Sequence, residues 1–342
     1  MYGFVKQVLG RRAGLVAAVA YMVIPYRLVD LYVRAALAES VAYVFVPLVL
    51  WGVWATLHRP RLANILGLAF AYAALMFTSP LVTLLLTLIL VFYIAVLALA
   101  RVSDQQPWRG FSRESWLPWL GHLGNVLLPT ALGLFLGLGL SALFLLPAMT
   151  ENRFVRVDQW YGGRYAWGGD FVEFFQLFSP AWGFGASVPG PHDDVSFQLG
   201  AVPVILSLLA LVPLIHRRTR QRLGPWAVRL TAFFAALTAI VVFLMLGISS
   251  PVWQVLPLVQ LAQFPWRLLS LTVVSMAFLC GAAARGLSTK DTPVPGPTTL
   301  ILVALLILGS LPYMRVEVSE REVSLAGLME FQQSADEMTG ST

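Results

Sequence analysis

The sequence predicts an all-α protein, a polytopic transmembrane helical bundle of about nine spans. Three observations carry this. First, 58% of the 342 residues are hydrophobic and 12% charged, about half the charged fraction of an ordinary soluble domain. Mean hydropathy is +0.76. Second, the uncharged stretches suffice for a bilayer core, which takes about 20 apolar residues per helix. Third, once crossings are drawn, the charges sort by sign onto opposite sides. This composition excludes a soluble enzyme and a disordered tail. The formal net charge of +6 and the pI near 9.7 fit a membrane protein with basic cytoplasmic loops better than a nucleic-acid module. Membrane lipid is therefore the expected partner, and nucleic acid is not. The single cysteine, Cys280, lies in an apolar run and excludes internal disulfides.

Each crossing has a local reason. The first, 12–26, follows Lys6, Arg11 and Arg12. A cleavable signal peptide is the rival reading, but Arg27, Asp30 and Arg34 stand between the apolar run and the cleavage-like Ala36-Leu37-Ala38, so the segment reads as a retained helix. The second is 39–57. The uncharged stretch 62–100 is too long for one helix and breaks at Ser79-Pro80, because proline suits a first turn and not an interior; it becomes 62–78 and 80–100. The fifth, 120–147, carries Gly133, Gly137 and Ser141 four apart, a small-residue packing face with no chemistry implied. His122 near its inner end reads as structural. The others are 198–215, 228–247, 266–284 and 296–313. Between 228–247 and 266–284 the chain breaks from Gly247 to Pro251 and runs apolar to Gln263, which suits a lid or a lipid-chain groove.

With the N-terminus in the cytoplasm, the inside segments are 1–12, 58–61, 101–117, 216–229 and 285–295. They hold 15 Lys and Arg and 3 acids, against 8 and 14 in the outside segments 27–39, 148–197, 248–267 and 314–342. The basic excess faces the cytoplasm, as the positive-inside rule requires. Arg217, Arg218, Arg220 and Arg222 anchor this topology, with an anionic-lipid site as the alternative. Residues 1–313 thus form a transmembrane bundle with the extracytoplasmic loop 148–197 inserted, and 314–342 begin an extracytoplasmic C-terminal region.

Polar residues converge on the outside. On a helix, Arg27 and Asp30, three apart, are neighbours, as are Asp30 and Arg34, four apart. Arg34 and Glu39, five apart, point at different angles. This four-charge cluster has two readings: a salt-bridge network that seats a helix end, or an Arg pair that binds a phosphate head group beside orienting carboxylates. In the loop, Trp160, Tyr161, Tyr165 and Trp167 interleave with Arg153, Arg156, Asp158 and Arg164. That pattern suits sugar rings, and it equally suits a membrane interface. Residues 170–178 repeat a polar residue every third position, with Phe171, Phe174, Phe175 and Phe178 as a stripe. An amphipathic helix in the interface is expected there, ending before Pro180. His192-Asp193-Asp194, on a loop after Pro189-Gly190-Pro191, can ligate a divalent ion or be simply solvated. In Gln263-Phe264-Pro265-Trp266-Arg267 the arginine either snorkels beside a Trp anchor or points inward at an anionic ligand. Nucleotide-binding, serine-hydrolase and zinc-protease motifs are absent from the sequence.

The run Tyr26-Arg27-Leu28-Val29-Asp30-Leu31-Tyr32-Val33-Arg34-Ala35-Ala36-Leu37-Ala38-Glu39 resembles the signature of a bacterial polytopic membrane family labelled "6-pyruvoyl-tetrahydropterin synthase-related". The segments around Trp160-Tyr161 and Gln263-Phe264-Pro265-Trp266-Arg267 resemble it too, so the likeness covers most of the chain. Nothing here resembles the soluble pterin synthase. That family is similar in architecture to membrane glycosyltransferases of the GT-C fold, which take a polyprenyl-phosphate-linked sugar donor on the outer face. The resemblance implies an extracytoplasmic sugar transfer in the bacterial cytoplasmic membrane, with Arg34 and Arg267 on the lipid phosphate and Asp30 and Glu39 orienting them. Arg27, Trp160, Tyr161, Arg164 and Gln263 complete the implied substrate site. The resemblance leaves the cofactor open, with a divalent cation as one option, and the sequence assigns no ligand set for it. In the family the catalytic acid sits in the first outside loop. Met1-Tyr2-Gly3-Phe4 resembles a position inside a later helix of such a protein, so a fragment is expected with its catalytic acid upstream of Met1. Asp30 is the nearest substitute. A non-catalytic scaffold and a lipid transporter are the competing classes. Ion-coupled transport fits poorly, since the helix interiors carry no Lys, Arg, Asp or Glu.

Overall fold

The computed structural model describes residues 1–105, 113–154, 167–287 and 296–317, together with 324–327 and 329. It is mainly helical. Among the described residues there is no strand, and pairing is limited to the isolated bridges Val172–Leu246 and Phe184–Val195. Among the described residues, five helices are long and apolar enough to cross a membrane: Leu37–His58, Pro80–Gln105, Leu117–Leu140, Pro225–Met245 and Pro265–Leu287. A sixth is counted if Arg11–Val23 and Pro25–Val33, bent by 47°, form one span. The remaining expected crossings come out as the shorter apolar helices Leu62–Thr78, Ala201–Ile215 and Pro297–Tyr313. Ser79-Pro80 at one end and Pro60 at the other hold Leu62–Thr78 to 17 residues, about 26 Å at 1.5 Å per residue.

The chain opens with α1 (Tyr2–Leu9), which departs from expectation. Residues 1–12 read as a flanking segment, yet Phe4, Val5 and Leu9 are buried. Gly10, at φ 93°, turns the chain into α2 (Arg11–Val23). Helices α3 (Pro25–Leu28), α4 (Leu37–His58), α5 (Leu62–Thr78) and α6 (Pro80–Gln105) follow. The expected fifth crossing is divided at Ser141 into α7 (Arg113–Leu140) and α8 (Ala142–Thr150). Its small-residue face is real: a Cβ on Gly137 would lie 2.8 Å from the Ala69 carbonyl oxygen of α5. Gly137→Leu should therefore destabilise the protein by about 1–3 kcal/mol. Gly139→Leu, which meets open space, serves as the control, and thermal unfolding in detergent compares the two.

After the loop come α9 (Ala201–Leu209), α10 (Val212–Ile215), α11 (Arg217–Leu223), α12 (Pro225–Met245), α13 (Ser250–Val255), α14 (Pro257–Gln260), α15 (Leu269–Leu287) and α16 (Pro297–Ser310). The axis of the bundle is α15, in which every residue from 269 to 284 is buried. It packs against α2, α9 and α12. Phe278 meets Phe234 of α12 at 4.4 Å and Phe4 of α1 at 5.8 Å.

Contacts sort the connecting segments into two ends. At one end, Arg101 donates to the His58 carbonyl, Trp54 meets Trp226 at 5.2 Å, and Arg229 pairs with Asp104 through both guanidinium nitrogens at 2.6 and 2.7 Å. At the other, Val172 N–H donates to Met245 O at 2.9 Å, Phe197 stacks on Trp266, and Arg34 lies over Trp266. This is the grouping that the charge partition predicts.

The interfacial helix expected over 170–178 does not form. Val172 is taken by its bridge to Leu246, and only Phe174–Leu177 makes a single 3-10 turn. Asp170 and Gln176 turn inward, while Phe174, Phe175 and Phe178 are exposed. A three-residue repeat of polar groups fits one 3-10 turn as well as it fits an α-helix, and the backbone bond to Met245 decides between them.

Candidate functional site

The site begins where regular helix stops. Pro25 restarts the chain after Val23 at the bend, and Val29–Val33 forms a π-helical turn, with Arg34 N–H donating to Val29 O at 2.9 Å. Ala35 then adopts φ 50° before α4 begins at Leu37. This wide turn and reversal fold Glu39, in the first turn of α4, back onto Arg34. The expectation that these two residues diverge is overturned, because the angular rule for residues five apart holds only along a continuous α-helix. Arg34 Nη1 donates to Glu39 Oε2 at 2.9 Å, to Asp30 Oδ1, and to the Tyr26 hydroxyl at 3.2 Å. Tyr26 passes its own proton toward Glu39 Oε1 at 3.4 Å. Burial pulls the Arg34 pKa down, but the fields of Tyr26, Glu39 and Asp30 outweigh it and hold the guanidinium above its ordinary range.

Asp30 is wholly buried, with its second oxygen accepting from the Tyr43 hydroxyl at 3.0 Å. Both oxygens are engaged and neither is open to a substrate. Asp30 thus positions Arg34, and its weak candidacy as a catalytic base finds no geometry to stand on. Arg27 does not join Asp30 as helical spacing suggests. Its guanidinium lies over the rings of Tyr43 at 5.1 Å and Tyr21 at 5.7 Å, and its Nη1 is buried with no hydrogen-bond partner. The turn to π geometry rotates Asp30 away from it.

Arg267 arrives from across the bundle. Gln263 holds φ 64°, Pro265–Leu268 makes a 3-10 turn, and Arg267 Nη1 donates to Gln263 Oε1 at 2.5 Å and to Ala262 O at 3.4 Å. Its Nε is buried without a partner. The two arginines meet at Trp266, whose indole lies 4.7 Å from the Arg34 guanidinium and 5.8 Å from that of Arg267. Trp266 in turn stacks on Phe264 at 5.4 Å and on Phe197 at 5.7 Å. Ala35 and Gln263 are the two non-glycine positions with positive φ among the described residues. Each lies next to one of these arginine segments, the kind of backbone strain that collects at functional sites.

Tyr43 and Phe197 belong to the site although the sequence did not mark them, and Tyr26 and Trp266, which stand in the two marked segments, join it as hydrogen-bond partner and aromatic floor. Tyr43 stands four residues after Glu39 on α4, so helical spacing was the one signal that could have found it. Trp160, Tyr161 and Arg164 lie outside the described residues. Trp167, from the same aromatic run, stacks on the fully buried Trp253 at 5.8 Å and packs edge-on to Phe171. The apolar segment after Pro251 is thus pinned by Trp253, whose indole N–H donates to Leu244 O at 2.9 Å. In the His192-Asp193-Asp194 run, Asp193 accepts from Gln176 Nε2 at 2.8 Å and from Val188 N–H at 2.9 Å. Among the described residues, no group of three His, Cys, Asp or Glu gathers around a point where an ion would sit.

Chemically, Arg34 is the arginine that pairs with the two carboxylates among the described residues, while Arg267 bonds to Gln263 and Ala262. All the hydrogen bonds of Arg34 run through Nη1. Its other nitrogens and the Nε of Arg267 make no bond to the protein among the described residues. An aromatic floor with two planar guanidinium groups is suited to an anion with several oxygens. No family model, no curated protein and no solved structure matches this chain.

Proposed function

We propose that this protein is a glycosyltransferase-like integral membrane protein that holds the phosphate of a polyprenyl-phosphate-linked sugar at the extracytoplasmic end of a nine-span, GT-C-like bundle. In this reading it resides in the bacterial cytoplasmic membrane, with its N-terminus in the cytoplasm and its C-terminus outside. One observation carries the proposal: Arg34 and Arg267, 233 positions apart, converge on the indole of Trp266 with guanidinium N–H groups still uncommitted. In the transfer itself, the bond from the anomeric carbon to the phosphate oxygen breaks and one to an acceptor hydroxyl oxygen forms. The acceptor proton passes to a carboxylate base, and the arginines stabilise the departing phosphate. Asp30 is not that base, since it is sealed between Arg34 and Tyr43.

A non-catalytic scaffold is the second reading, supported by the way Asp30, Arg34 and Glu39 satisfy one another. Purified protein in nanodiscs separates the two. Native mass spectrometry with undecaprenyl phosphate, and with the corresponding undecaprenol, should show retention of the phosphate lipid alone. Equal retention of both lipids would end the phosphate reading. Phosphate-dependent retention without any transfer from a lipid-linked sugar would leave the scaffold.

A further inference from the structure

Phe197, which stacks on Trp266, also lines a concavity of about 200 Å³ between the turn at 175–179 and the hairpin at 181–196. Its walls include Phe175, Gln176, Ser179, Asp194, Ser196 and Phe197. We infer that this cavity is a binding site for a single neutral sugar ring.

The cavity is built, not incidental. The Phe184–Val195 bridge closes the hairpin. Glycine at 183 and 185 is required, because a Cβ on Gly183 would sit 1.8 Å from the Asp194 carbonyl oxygen and one on Gly185 would sit 2.2 Å from Asp194 Cβ. Asp193 braces the far wall through its bonds to Gln176 and Val188. That leaves the Asp194 carboxylate, which takes no protein donor among the described residues, and the Ser179 hydroxyl, whose oxygen accepts from Ala181 N–H at 3.3 Å and whose proton is available to donate. The lining holds two carboxylates and no basic side chain, so it rejects a phosphate. Its volume is below the roughly 300–1,000 Å³ of pockets for drug-sized ligands, which limits it to one ring. Carboxylate and serine oxygens accept and donate to ring hydroxyls, and the exposed Phe175 ring gives an apolar face on which a sugar lies, with the buried Phe197 behind it as the wall.

The cavity and the arginine cluster share Phe197, which stacks on Trp266. An anion held at Arg34 and Arg267 and a sugar held against Phe175 are therefore neighbours across one aromatic wall. The role of this cavity in transfer rests on the proposed function; its affinity for a sugar does not.

Saturation-transfer NMR on the protein in nanodiscs tests it, with the methyl glycosides of glucose, galactose, mannose and N-acetylglucosamine as probes. At least one should receive saturation at millimolar concentration. Ala181→Trp, placed at an exposed wall residue, should abolish the signal, and Asp194→Asn should weaken binding about tenfold. Arg267→Ala should leave it unchanged while losing undecaprenyl phosphate, so each reading fails by itself. No transfer to any glycoside, transfer that Ala181→Trp leaves intact, or binding of ethylammonium in place of the glycosides overturns the inference. Unchanged thermal unfolding of both variants confirms that the cavity, not the fold, was altered.

Discussion

Arg34→Ala should lower stability by about 3–5 kcal/mol, the range for removing one partner of a buried ion pair. The reason is local. Asp30 is fully buried and Glu39 nearly so, and among the described residues Arg34 Nη1 is the one cation bonded to both. Without it, two carboxylates about one side chain apart remain in a medium that solvates neither. Thermal unfolding in detergent reads the loss. Arg34→Lys should recover only part, since a point charge cannot reproduce a planar group that bridges two acceptors while lying on an indole. The triple change Asp30→Asn, Arg34→Met and Glu39→Gln should recover most of the stability, because buried ion networks contribute little net energy over uncharged replacements. It should also abolish lipid-phosphate binding. A single Arg34→Ala variant that unfolds like the parent would show that the network does not seat α4.

Arg267→Ala should behave in the opposite way, leaving the fold nearly intact and weakening undecaprenyl phosphate binding by about a hundredfold. Losing a charge-assisted contact to a desolvated phosphate costs about 2–4 kcal/mol, and each 1.4 kcal/mol is a factor of ten. Stability should change little because the protein bonds of Arg267 go to Gln263 and Ala262, within its own turn, and among the described residues no carboxylate forms an ion pair with it. Arg267→Lys should restore less than half of the binding free energy, since lysine keeps the charge and loses the guanidinium stacking over Phe264 and Trp266. Titrating the lipid into nanodiscs at low and high salt distinguishes a specific contact from screened attraction: a buried contact keeps its selectivity for the phosphate lipid at high salt. Equal affinity of Arg267→Ala and the parent would remove Arg267 from the site.

The helices were legible because a bilayer imposes a simple rule on composition. A run without charge, bounded by prolines or arginines, is already a helix, and the Ser79-Pro80 break lies between α5 and α6 as read. The grouping of segments at the two ends was legible for the same reason. Patterns that needed the backbone to stay α-helical were not. Arg27 with Asp30, and Arg34 against Glu39, were both misread because Val29–Val33 is a π turn and Ala35 has positive φ. The expected helix at 170–178 was misread because the partner of Val172, Met245, lies 73 positions away.

Residue chemistry thus determined, unaided, that this chain is greasy, helical and charged at its ends, since burial of apolar surface and exclusion of charge from lipid act on each segment separately. Which charges meet was decided only in three dimensions. Arg34 and Arg267 come together on Trp266 because α15 runs through the centre of the bundle and brings its N-terminal end to the turn before α4, a long-range packing outcome that no local spacing encodes.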